Sequence, residues 1–92
     1  MITVKDAEVI ANQHIVELQE KMGLPLQLTK TQEESFGWVF FYQSKEYMDT
    51  ESLSSILAGN APFIVDNKIG AVCTLGTAHP AEFYIREYEG KK

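Results

Sequence analysis

Gly37-Trp38-Val39-Phe40-Phe41-Tyr42-Gln43-Ser44 restricts the folds open to this chain more than any other stretch. Aromatic and β-branched residues run without a break from Trp38 to Tyr42, which predicts a β-strand. Successive side chains on a strand point to opposite faces. Trp38, Phe40 and Tyr42 therefore share one face, and Val39 and Phe41 share the other. A strand that is apolar on both faces belongs in the middle of a sheet with a cover on each side.

The flanking sequence supplies a small set of elements to build around it. Thr3 to about Met22 reads as a helix. Thr3 and Asp6 approximate a capping box, and Val4, Ala7, Ala11, Ile15 (or His14), Leu18 and Met22 form one stripe at helical spacing. Gly23 and Pro25 stop it. Leu26 and Leu28 alternate with Gln27 and Thr29, a short strand that Lys30 is expected to end. Gln32-Glu33-Glu34-Ser35 reads as a turn. Lys45 to Ile56 reads as a loop, with a helical turn near Ser52 to Leu57. Ala61 to Val65 and Ala71 to Leu75 are strands joined by a tight connection from Asp66 to Gly70. Pro80 opens a second helix with a stripe of Ala81, Tyr84, Ile85 and Tyr88, and Gly90-Lys91-Lys92 is its frayed end.

The order α-β-β-β-β-α, with short connections, predicts one α+β domain over residues 1–92. It is a four-stranded antiparallel meander with the N-terminal and C-terminal helices packed on one face. The other face of the aromatic strand then needs a cover. The loop around Tyr47 to Ile56, a second copy of the chain and a partner protein are the three alternatives.

Charge and composition narrow the function. The chain has 92 residues and a formal net charge of −5. That charge argues against nucleic acid, whose phosphates call for clustered Lys and Arg. It suits a basic protein partner, or serves only to keep the protein in solution. A single cysteine leaves no internal disulfide and no cysteine-based zinc site. No apolar run approaches the ~20 residues of a membrane span. Met1 to Asp6 lacks the basic-then-apolar pattern of a signal peptide, so the expected location is the cytoplasm.

Catalytic chemistry finds little support in the residues. Cys73 and His79 are the sharpest pairing, as nucleophile and base. Cys73, however, sits in an alternating strand as a small core residue would. His14 lies near the apolar stripe of the first helix and has no companions for a metal site. Gly59-Asn60 lacks the spacing of a phosphate loop and turns the chain instead. The expectation is a non-enzyme with no metal and no cofactor. Candidate partner-binding residues are the aromatic set Trp38, Phe40, Tyr42 and Tyr47, with the acidic loops Glu33-Glu34 and Asp49-Thr50-Glu51 as a charged rim. The alternative for each aromatic is a place in the core, since a short chain needs its large side chains inside.

Gly37-Trp38 followed by an aromatic strand, then Leu57-Ala58-Gly59-Asn60-Ala61-Pro62-Phe63-Ile64-Val65-Asp66, then Gly70, Gly76-Thr77, Pro80 and Tyr84, resembles the YrhB-like family, also called immunity protein 35. The likeness runs from Gly37 to Tyr88. It implies a bacterial cytosolic α+β protein that neutralises a cognate toxin of a polymorphic toxin system by binding it, with no catalytic residues of its own. Carried across, the signature falls on Trp38, Gly59, Asn60, Pro62, Asp66, Gly70, Gly76, Thr77, Pro80 and Tyr84. These read mainly as fold determinants: glycines for turns, prolines for starts, Tyr84 for packing. A homodimer is a further possible partner arrangement. The competing function is a small chaperone-like or self-associating module that works through an open sheet face.

Overall fold

The computed structural model describes residues 1–45, 61–76 and 79–90. The sequence expectations for residues 46–57 of the loop, Gly59, Asn60, Thr77 and the last two residues lie outside them. The described elements are α1 (Val4–Met22), β1 (Leu26–Glu34), β2 (Gly37–Ser44), β3 (Phe63–Asp66), β4 (Val72–Thr74) and α2 (Ala81–Gly90). The strands form one antiparallel sheet in the order β1-β2-β3-β4, the expected meander with a helix at each end.

α1 starts where the capping box places it. The Asp6 N–H donates to Thr3 Oγ1 at 3.3 Å, and the Thr3 N–H donates to Asp6 Oδ2 at 3.1 Å. Gly23 caps the other end, its N–H donating to the Gln19 carbonyl. Ala7, Ala11 and Ile15 are the buried stripe, and two alanines at that spacing let the helix sit close on the sheet. They pack on Leu26, Trp38, Phe40, Tyr42, Phe63 and Val65.

The second helix takes the opposite face, which corrects the expectation that both helices share one. Ile85 packs with Phe36, Val39, Ile64 and Leu75, and Ala81, Tyr84 and Tyr88 border that cluster. Val39 and Ile64 alternate with the residues under α1, so α2 lies across the sheet from α1. The physical reason was present in β2: both of its faces are apolar, and each helix covers one. The sheet face assigned to a loop, a second copy or a chaperone client is thus covered by this chain's own C-terminal helix.

β1 is longer than its composition suggests. Gln32, Glu33 and Glu34 are strand residues paired with Val39, Trp38 and Gly37. A bulge between Leu28 and Lys30 inserts Thr29 and shifts the alternation by one residue. Pairing to β2 along the whole length holds this polar end in the sheet. The turn is confined to Ser35-Phe36. Gly37 makes that hairpin possible: its φ is 149°, and a Cβ there would collide with the Val65 carbonyl oxygen.

Candidate functional site

Most of the signature residues within the described region hold the fold together. Asp66, buried at the end of β3, is the busiest. Its Oδ1 accepts from the Lys68 N–H at 2.7 Å, and its Oδ2 accepts from the Tyr88 hydroxyl at 3.0 Å. Its carbonyl accepts from the Gly70 N–H at 2.9 Å. One aspartate therefore closes the β3–β4 turn and ties α2 to the sheet. Burial pushes the Tyr88 hydroxyl up to about 12, helped by the hydrogen bond and charge of Asp66 and by the charge of Cys73. Gly70 has φ 73°, and a Cβ there would sit 2.8 Å from Ile10 Cδ1. Gly76 lies under Tyr84, where a Cβ would come within 2.6 Å of the hydroxyl. That hydroxyl accepts from the His79 N–H at 3.2 Å. Pro62 precedes β3, and its carbonyl accepts from the Leu75 N–H at 3.0 Å. Pro80 precedes α2 and accepts from the Phe83 N–H at 3.0 Å.

The aromatic residues expected at a partner surface are in the core. Trp38, Phe40 and Tyr42 are 8%, 0% and 7% exposed, beneath α1. Phe40 stacks on Phe63 at 5.6 Å between ring centroids. The alternating face that holds them is the one α1 needs, so they are removed from any surface. Tyr47, Asp49 and Glu51 lie outside the described residues.

Glu33 and Glu34 are placed differently from each other. Glu33 pairs with Trp38 and so faces the α1 side, exposed at the sheet edge. Glu34 faces the α2 side. There, with Gln32, it forms one wall of a groove of about 220 Å³ whose other wall is Glu82, Ile85, Arg86 and Glu89 of α2. Gln32 Nε2 donates to Glu34 Oε2 at 2.7 Å. The Ser35 hydroxyl donates to Glu89 Oε2 at 3.3 Å. The groove thus collects three carboxylates around one guanidinium.

Beside the groove, the outer side of α2 carries a hollow of about 420 Å³ lined by Pro80, Glu82, Phe83, Arg86 and Glu87. Phe83 is 42% exposed there, and the His79 ring lies 4.2 Å from it. Of these, Phe83, Arg86 and Glu87 carry no role in the sequence reading. Their signal was the helical spacing of Glu82, Arg86 and Glu89, which places them on one face.

The rest of the polar chemistry is scattered. Cys73 lines a hollow with Gly76, Tyr84 and Tyr88, while the His79 ring lies against Phe83 and Tyr84. His14 sits edge-on to Phe63 at 4.5 Å. Burial lowers its pKa, with Glu17 opposing and Lys21 adding to the effect. Among the described residues, no three His, Cys, Asp or Glu side chains are grouped to hold a metal ion. No helix among them is long and apolar enough to cross a membrane.

These features define a small α+β protein: a four-stranded meander between two helices, with charged side chains gathered in a groove between β1 and α2. The chain belongs to the immunity protein 35 family, whose model matches residues 5–89. It is 40% identical to the uncharacterized protein YrhB of Escherichia coli (strain K12), over the whole of this chain and 94% of that one. No solved structure matches it.

Proposed function

We propose that the protein acts in the bacterial cytoplasm as an immunity protein, binding a cognate toxin and blocking it without catalysis of its own. Membership of the immunity protein 35 family over residues 5–89 carries this reading. Such a protein needs a surface, and the outer side of α2 is the best fitted. Phe83 offers an apolar anchor beside Glu82, Arg86 and Glu87, and Glu34 and Glu89 add negative charge in the adjoining groove. Apolar centres with charged rims are the usual build of protein interfaces, and opposite charge speeds encounter with a basic partner. Tyr47, Asp49 and Glu51 enter the same reading on the sequence argument alone, whereas Glu33 lies on the α1 side of the sheet, away from this surface.

The test is co-expression. The toxin-like reading frame beside this gene is induced in cells with and without the protein, and survivors are counted. Rescue by the wild type is expected, with rescue lost in Phe83→Asp/Glu82→Lys. A toxic neighbour that the wild type fails to relieve would contradict the reading.

A further inference from the structure

β1 lies at an edge of the sheet, and no strand among the described residues pairs with its outer side. The pair Glu34↔Gly37 closes the turn Ser35-Phe36, so those two residues exchange main-chain hydrogen bonds. Alternation then turns the N–H and C=O groups of Gln32 and Lys30 toward β2 and those of Thr31 and Glu33 away from it. Thr31 and Glu33 are exposed, and their outward main-chain groups have no partner among the described residues. Unpaired groups in a row are a template for another strand.

We infer that this edge pairs with the β1 edge of a second copy of the chain, antiparallel and centred on Gln32, so that two sheets become one. The charge pattern selects both the occupant and the register. With the two-fold axis at Gln32, Thr31 and the second copy's Glu33 form a hydrogen-bonded pair. Lys30 then stands opposite the second copy's Glu34 in a non-hydrogen-bonded pair, where side chains approach most closely. Symmetry repeats both pairings. Centring on Glu33 instead would set Glu33 against its own copy, a like-charge pair. Centring on Thr31 would set Leu28 against Glu34. Only the Gln32 register matches opposite charges. The Lys30 ammonium already lies over the Phe41 ring, 5.5 Å from its centroid, on the same side of the sheet as Glu34. The bulge at Thr29 turns the strand away beyond Lys30, so pairing is confined to the stretch from Lys30 to Glu34 and the dimer is reversible. This arrangement takes up Glu34 but none of the residues lining the hollow around Phe83, so the immunity reading is tested separately at Phe83 and Glu82.

Two experiments test it. In a Cys73→Ser background, Gln32→Cys under mild oxidation is expected to give a disulfide-linked dimer, whereas Gln27→Cys is not, because Gln27 lies beyond the bulge. In sedimentation velocity, Lys30→Glu is expected to weaken the wild-type dimer about tenfold, by replacing two attractive cross-strand pairs with repulsive ones. Lys30→Glu/Glu34→Lys is expected to restore it, since the swapped charges again meet. Circular dichroism checks that substitution of the exposed Lys30 and the half-buried Glu34 leaves the fold intact. A wild type that sediments as a monomer throughout a dilution series overturns the inference. So does a dimer that Lys30→Glu leaves unchanged, or one that Gln27→Cys links as readily as Gln32→Cys.

Discussion

Replacing Asp66 with alanine should be among the most damaging changes outside the apolar core. The carboxylate accepts from the Lys68 N–H at 2.7 Å and from the Tyr88 hydroxyl at 3.0 Å. A hydrogen bond to a charged group contributes about 1.5–3 kcal/mol. Tyr88 is only half-buried, so its bond belongs near the lower end, and the turn bond adds about 1 kcal/mol. Asp66→Ala should therefore destabilise by roughly 3 kcal/mol, which for a domain of this size lowers Tm by about 10–20 °C. Tyr88→Phe should account for about half of that, and the double variant should be less damaged than the sum of the two. Thermal and urea unfolding of the four proteins closes the cycle. The alkaline limb gives a second reading. The Tyr88 pKa is raised from 10.0 to about 12 in the folded protein, so its contribution is fully present below pH 10 and is lost as pH rises through about 12. Wild type should lose stability over that interval more steeply than Tyr88→Phe. An Asp66→Ala variant that melts within about 3 °C of wild type, or a cycle with no coupling, would refute this account of how α2 is held to the sheet.

Gly37→Ala should fail to give a stable protein, because the added Cβ meets the Val65 carbonyl at a φ of 149°; soluble yield and circular dichroism are the readouts. Burial holds the His14 pKa below 6.5, so folding stability should fall as pH drops below that value, and His14→Phe should flatten the fall in pH-dependent melting. Phe83→Ala should cost no more than about 1 kcal/mol of stability, since the ring is 42% exposed and lies outside both core clusters, while abolishing toxin neutralisation in the co-expression assay.

Local signals in this chain were readable and non-local ones were not. The α1 capping box and its alanine stripe are set by neighbours within one or two turns, and the structure keeps both. The aromatic run of β2 announced a central strand for the same reason. From sequence β1 reads as ending near Lys30, because a bulge at Thr29 changes which residues share a face and a bulge leaves no composition of its own. The side taken by α2 depends on long-range packing, yet the two apolar faces of β2 already demanded two covers. The aromatic side chains that looked fit for a partner were what α1 needed beneath it. Glu34 was visible as part of an acidic run. Its companions Glu82, Arg86 and Glu89 come from α2, and only folding brings them to β1.

The most direct test of the immunity reading is a calorimetric titration of the purified protein into the catalytically inactivated product of the neighbouring toxin-like reading frame. The account predicts saturable binding that Phe83→Asp/Glu82→Lys weakens at least about a hundredfold, with the variant still folded. Absence of binding by the wild type, or binding that the variant leaves untouched, would contradict the function in the first case and the α2 surface in the second.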